Sequence, residues 1–299
     1  MTITGRLFLG ACFLMNFIQH SSYRAVIACG ALSVMPACQH GATTAHSSRT
    51  SSAQQVAPPA QGQKDFLQKI PGTTLSISMI AVVPMNSTLP HDANHENHKQ
   101  SRAFWIQAKE VTWDLYDTFV YQLDEVGMPD QADGMTRPSK PYVTFDRGWG
   151  HAGYPALSMS AKNAESFCAW LSAKTGRQYQ LPTQEQWTQA CQLGHVDSNN
   201  IESHAWFKLN SKGQTHPVGT KLKSQLGTYD MWGNVAEWVT TPQGPILVGG
   251  SYRNPKNQIG CHAMQSPVPG WNESDPQIPK SQWWLADAPF AGLRVVCTD

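Results

Sequence analysis

Two helical periods lie close together in the middle of this chain, and no comparable one follows them. In "AKNAESFCAWLSAKTG", Ala164, Phe167, Cys168 and Leu171 recur at i, i+3, i+4 and i+7, with Ser160 before the first turn and Gly176 at the stop. In "TQEQWTQACQLG", Thr183 and Gln186 have the spacing of a capping box, Trp187, Ala190 and Cys191 share the inner face, and Gly194 closes the run. Beyond it the chain offers turns and short apolar runs: "THPVGT", "GPILVGGSY" and "FAGLRVVC". Upstream, "TTLSISMIAVV" (73–83) alternates as a strand should, and "RAFWIQAKEV" (102–111) resembles a second strand. Thr112 is placed to cap a short helix running to Leu123, in which Leu115, Tyr116 and Phe119 share a face. Few helices, all early, followed by irregular β structure, predict an α+β domain.

Composition agrees with that reading. Only 14% of the residues are charged, against 23 Gly, 20 Pro and 11 Trp, which suits a loop-rich globule packed with aromatic side chains. The 22 Lys+Arg and 21 Asp+Glu leave a net charge of +1, so no electrostatic footprint points to nucleic acid or to an acidic partner.

The first 38 residues resemble an export signal or lipoprotein leader. Arg24 precedes "AVIACGALSVMPAC", the length of a signal-peptide apolar region, and "LFLGACFLMNFI" is a second apolar run upstream. Neither has the roughly 20 apolar residues of a spanning helix. Met15 is an alternative start, and the small residues before Cys29 and Cys38 loosely match a lipoprotein cleavage box, plain secretion after "MPA" being the other reading. Residues 39–69 are expected to be a flexible low-complexity linker, because Ser, Thr, Ala, Gln and Pro dominate its start and cannot build a core. The folded domain is expected over 70–299. This predicts an exported protein, periplasmic or held at the outer membrane, touching the membrane only through a lipid anchor.

Several stretches carry candidate chemistry. "YDMWGNVAEWV" (229–239) sets Asp230 and Glu237 among aromatic and small apolar residues, where a carboxylate needs water, hydrogen-bond donors or a cation. "HDANHENH" places His91, His95 and His98 at i, i+4 and i+7, but the residues between have no apolar face, so an exposed loop is expected. Residues 264–289 bring Trp271, Trp283 and Trp284 together with Glu273, Asp275 and Asp287; aromatics beside carboxylates suit a substrate cleft for a planar or cationic ligand, or else these tryptophans pack the surface of a helix-poor domain. The long loop 136–155 is a further candidate for that groove.

In order, the chain carries "EVTWDLYDTF", "YPALSMSAKNAESFCAWLS", "QLPTQEQWTQAC", "HPVGT", "GTYDMWGNVAEWV", "VGGSY" and "FAGLRVV". This series resembles the formylglycine-generating enzyme, or sulfatase-modifying factor, family, whose pattern runs EVT, a helix ending in Trp-Leu, RLPTEAEWE, GLYDMxGNVxEW, GGSW and GFR. The resemblance spans roughly residues 70–299 and implies a variant of the C-type-lectin-like fold with little regular secondary structure. It also implies calcium in the 229–239 loop, bound by Asp230, the carbonyls of Gly233 and Val235, and Glu237; oxygen ligands on a tight turn are what a hard cation prefers. The competing reading is that both carboxylates only accept backbone hydrogen bonds. Outside the leader the cysteines are Cys168, Cys191, Cys261 and Cys297, an even number with three possible pairings. The resemblance implies Cys168 with Cys297 and Cys191 with Cys261, buried thiols being the alternative.

The same resemblance implies a site that this chain does not complete. Catalytic members oxidise a substrate cysteine with copper(I) held by two thiolates after GGSW, a soft pair that copper(I) selects. Here "GGSY" leads into "RNPKNQIGC": Asn254 stands at the first thiolate, Cys261 aligns with the structural disulfide cysteine, and "CHAM" lacks the arginine that follows it in those members. Ser251 matches the active-site serine. Cysteine-to-formylglycine conversion is therefore not expected, and no ligands for copper or iron are evident. An oxidative tailoring or maturation factor, as in the branch that matures a siderophore chromophore in the periplasm, is one expectation; a lectin-like module holding a small molecule, peptide, glycan or partner protein is the other.

Overall fold

The computed structural model of the protein describes residues 63–83, 103–124, 137–141 and 145–298. The leader, most of the linker and the three histidines at 91, 95 and 98 lie outside the described residues. Among the described residues no helix is long and apolar enough to cross a membrane.

Five strands form the first sheet, in the order β1 (Phe66–Lys69), β2 (Ser76–Val82), β3 (Phe104–Gln107), β9 (Val296–Cys297) and β4 (Tyr179–Gln180), each pair antiparallel. Strand β1 begins at Phe66, four residues ahead of the boundary set at Ile70. Phe66 pairs with Met79 and Lys69 with Ser76, while the Asp65 carboxylate accepts from the Ala81 amide at 2.9 Å. The linker composition ends earlier than Lys69: Phe66 and Leu67 give this segment the apolar side chains it needs, and Phe66 packs edge-on against Trp105 with centroids 5.4 Å apart. The C-terminal strand lies inside the sheet, between β3 and β4, so both ends of the domain are closed by one set of ladders.

The helices follow from local sequence. In α1 (Trp113–Val120) Leu115, Tyr116 and Phe119 are buried, but the helix stops three residues short of Leu123 because Gln122 turns to φ 57°. Thr112 occupies the N-cap with extended backbone, yet its hydroxyl makes no capping bond. Helix α2 (Ala161–Thr175) begins with the Ser160 hydroxyl accepting from the Asn163 amide and ends at Gly176 in the left-handed region, φ 74°. In α3 (Gln184–Leu193) both bonds of the capping box form: Thr183 accepts from the Gln186 amide at 3.2 Å, and the Gln186 carboxamide accepts from the Thr183 amide at 2.9 Å. A cap of this kind contributes about 1 kcal/mol.

The second sheet has the order β7 (Gly260–Gln265), β6 (Ile246–Gly249), β5 (Ala236–Val239) and β8 (Ala291–Gly292), with β5 and β8 parallel. The β6–β7 register jumps between Val248, opposite Met264, and Gly249, opposite Gly260, so the middle of β7 bulges away from its partner. Apolar side chains from α1, α2 and both sheets make one large core, and a smaller cluster sits around Trp187, Val239 and Val248. Alternation along β9 sends Val296 to the smaller cluster and Cys297 to the larger.

One expected disulfide is present and the other is not. Cys191 on α3 and Cys261 on β7 are bonded, with Cα atoms 5.7 Å apart. Cys168 and Cys297 are both buried in the larger core without an S–S bond between them. Each occupies its place as a small apolar side chain. Burial, with the Glu165 charge adding to it, also pushes the Cys168 thiol well above its ordinary pKa, away from the thiolate that oxidation requires.

Candidate functional site: a buried charge node and an open cleft

The 229–239 loop is held by its own polar residues. Asp230 and Asn234 adopt positive φ, 55° and 49°, a conformation that short polar side chains tolerate better than most. Gly233 between them cannot be replaced: a Cβ there would lie 2.1 Å from the Trp206 carbonyl oxygen. Asn234 fixes the turn at three points, donating from its amide to the Trp206 carbonyl (2.8 Å), accepting from the His216 amide (2.9 Å) and donating from Nδ2 to Glu110 (2.8 Å). Glu110, the acid of the "EVT" motif, also accepts from the Val235 amide at 3.0 Å.

Strand β5 then carries Glu237 into the interior, 1% exposed, against Arg294, which is 0% exposed. The guanidinium makes a two-pronged contact: Nη2 donates to Oε1 at 2.7 Å, and Nε lies 2.9 and 3.1 Å from the two carboxylate oxygens. Trp187 Nε1, from α3, donates to Oε2 at 2.7 Å. Arg294 also donates from Nη1 to the Gln107 carbonyl (2.8 Å) and from Nη2 to the Tyr229 carbonyl (2.7 Å).

This arrangement does not fit the expected calcium site. Both oxygens of Glu237 face N–H donors, and its charge is already matched by a guanidinium. Asp230 lies nearby but bonds elsewhere, Oδ2 accepting from the Gly219 amide at 2.6 Å, while its buried Oδ1 has no hydrogen-bond partner. Among the described residues, no group of three or more His, Cys, Asp or Glu side chains is placed to hold a metal ion. Burial pushes Asp230 up to about 6, and burial followed by the charges of Asp230 and Glu237 raises Glu110 well above the carboxylate range. Arg294, in contrast, is raised: burial works against its charge, and the nearby carboxylates outweigh it.

The segment after "GGSY" is built differently. Ser251 is 0% exposed; its amide and its hydroxyl both donate to Asn254 Oδ1, at 2.9 and 2.8 Å. The expected active-site serine is thus a buried member of a turn. Asn254, at the position where catalytic relatives carry a thiolate, uses its side-chain oxygen to hold that turn, and its carbonyl accepts from the Lys208 amide at 3.0 Å. Beside this turn, along β7, opens a cleft of about 560 Å³ whose polar lining is Arg253, Asn254, Asn257, Gln258, His262 and Gln265, with Leu247, Ile259 and Met264 among its apolar lining. Arg253 packs over the Phe290 ring, 3.3 Å from its centroid, and partial burial lowers its pKa. The carboxamides, guanidinium and imidazole supply hydrogen-bond donors and acceptors in a cavity of ligand size.

The expected tryptophan cleft is mostly core. Trp271, Trp283 and Trp284 are 6%, 5% and 2% exposed. Trp284 stacks on Phe145 with centroids 4.8 Å apart, Trp271 meets Phe290 edge-on at 5.4 Å, and the Trp283 carbonyl accepts from the Ser160 amide and from Asn163 Nδ2 at the start of α2. A domain with few helices leaves apolar surface at helix ends and sheet faces, and these rings cover it. The acids serve the same segment: Asp275 accepts from the Gln277 and Ser281 amides and Asp287 from the Ser274 amide, while Glu273 is exposed. Trp271 borders a shallow, mostly apolar groove of about 390 Å³ shared with Val268, Pro269 and Trp238. Of the other candidate wall, residues 137–141 and 145–155 are described, and Trp149 meets Tyr252 with centroids 5.1 Å apart.

Sequence reasoning missed Arg294 and Glu110 as site residues. The signal was present: an arginine in the apolar run "FAGLRVVC" must find a carboxylate if that run is buried.

With this geometry in hand, comparison with known proteins decides the family. The pattern of the sulfatase-modifying factor enzyme 1-like domain matches residues 70–276. The chain belongs to that family. Among solved structures of the sulfatase-modifying factor type of fold, Treponema denticola variable protein 1 superposes with a TM-score of 0.54 at 18% identity, covering 79% of this chain and 99% of that one. PvdO from Pseudomonas aeruginosa gives 0.53 at 19% identity, covering 80% and 100%. At such identities the likeness concerns the fold. A curated relative, the chaperone protein LppX of Paenibacillus barcinonensis, is 28% identical over 156 residues, 44% of this chain and 50% of its own length. The chain thus spans about half the length of that relative. Sulfatase-modifying factor membership and the α+β architecture agree with what the motif series implies.

Proposed function

We propose that the protein is an exported maturation factor of the sulfatase-modifying factor family that works by holding its substrate or partner in the β7 cleft, and that it does not convert cysteine to formylglycine. The observation that carries this reading is the Ser251–Asn254 turn: where thiolate-copper chemistry needs sulfur, a carboxamide is committed to a buried hydroxyl at 2.8 Å. Of the two activities open to such a chain, oxidative tailoring and lectin-like binding of a small molecule, peptide, glycan or partner protein, the cleft supports binding. Its lining offers hydrogen-bonding carboxamides, one guanidinium and the His262 imidazole. Export is supported by the leader pattern and by the Cys191–Cys261 disulfide, a bond that persists in oxidising compartments.

Two assays test this. Incubated with copper(I) and a cysteine-bearing sulfatase-type peptide, the purified protein should form no aldehyde. Screened on peptide and glycan arrays, the wild type should give hits that the Arg253→Ala, His262→Ala double variant loses. Aldehyde formation, or hits indifferent to both substitutions, would contradict the proposal.

A further inference from the structure

The Glu237–Arg294 contact has the composition of a cation site. Arg294 gathers one carboxylate and two main-chain carbonyls: Glu237, Gln107 O and Tyr229 O, all within 3.1 Å of guanidinium nitrogens. A structural calcium ion collects the same kinds of oxygen, carboxylate and carbonyl, from separate segments. The segments joined here are also separate. Glu237 is on β5, Gln107 ends β3, Tyr229 enters the loop, and Arg294 lies between β8 and β9. Trp187 adds α3 through its bond to the same carboxylate. One side chain therefore ties the two sheets and a helix together, with no exposed surface of its own. The guanidinium is planar and always charged, and its fork matches a carboxylate edge-on, so it fills this role without an ion.

We infer that Arg294 is the structural cation of this domain, and that the 229–239 loop keeps its shape without calcium. The turn supports this independently of Glu237. Its two non-glycine positive-φ residues are each held by hydrogen bonds, Asn234 by Trp206, His216 and Glu110, and Asp230 through Oδ2 by the Gly219 amide. Glu110 accepts from the Val235 amide and from Asn234 Nδ2 in the loop's second half. None of this depends on what the β7 cleft binds.

Thermal unfolding of the exported domain, in excess calcium and in excess chelator, tests the inference. The wild-type midpoint should be the same in both. Arg294→Met, which leaves Glu237 buried and unpaired, should lower the midpoint by roughly 10 °C or abolish folding. Should that variant fail to fold, the wild-type measurement still decides. A calcium site at this loop would instead raise the wild-type midpoint by about 5–10 °C at a hundredfold excess over its Kd. Glu237→Gln would then lose that rise, and the pair of results would overturn the inference.

Discussion

Glu237 and His262 belong to the same sheet, separated by one strand, yet their surroundings are opposite. Glu237 on β5 is closed in by Arg294 and Trp187, so its charge and its lone pairs are met inside the fold. His262 on β7 lines an open cleft with four carboxamides and Arg253, and its polar neighbours face solvent. Both regions descend from family motifs that imply metal: the first from a calcium loop, the second from a copper-thiolate pair. In the first, Arg294, the arginine of the GFR motif, meets Glu237 inside the fold. In the second, an asparagine stands where the motif implies sulfur, beside the open cleft that we propose as a recognition surface. A polar residue in a motif series says that charge is handled at that point; the partner it meets says whether the purpose is stability or function.

If the contrast is right, substitutions at the two ends of the sheet should differ most in stability. Arg294→Met should cost about 3–5 kcal/mol, the usual effect of leaving a buried carboxylate without its partner; chemical denaturation measures it, and a loss below 1 kcal/mol would mean the pair is dispensable. Next in size, removing the Cys191–Cys261 bond with a double serine variant should cost about 2–4 kcal/mol. The bond fixes β7 to α3, so the same variant should also weaken whatever the cleft binds. Asn257→Ala, Gln258→Ala and His262→Ala, exposed in the cleft, should each change stability by no more than about 0.5 kcal/mol. A larger loss at any of them would place that residue in the architecture rather than in recognition.

The smallest effect concerns loop 145–155. His151 lies between Asp117 of α1 at 2.7 Å and Asp146 at 3.0 Å, and stacks on Trp113. Burial lowers its pKa, but the two carboxylates reverse this, leaving it raised. The group binds its proton more tightly in the folded state, so its contribution is fully present below about pH 6.5, the unfolded value, and is lost as pH rises through the folded pKa. His151→Gln should flatten a small decline in stability with pH across that window. An unchanged pH profile would assign the decline elsewhere.

Much of this fold was legible in local sequence, because local sequence decides it. The caps at Ser160 and Thr183 and the stop at Gly176 each fall where the residue types place them. The motif series identified the family because its order survives even where its chemistry has changed. What could not be read was which long-range partner each polar group would take. Glu237 lies 57 residues from Arg294, and periodicity carries no information on such a pairing. The tryptophans of residues 264–289 show the same limit: aromatic rings beside acids describe a cleft as well as they describe a sealed core, and the packing against Phe145, Phe290 and α2 decides it. Cys168 and Cys297 share one core, and the sequence shows their parity but not whether the two sulfurs meet.

The most direct test of the account is an elemental analysis for calcium and copper of the mature domain, purified from an oxidising compartment without chelators. An arginine-neutralised loop and a cleft without a thiolate pair predict neither metal at stoichiometric level in a protein that is folded and carries its Cys191–Cys261 bond. Calcium at one ion per chain would contradict the role given to Arg294, and copper at one per chain would return the protein to the oxidative branch of its family.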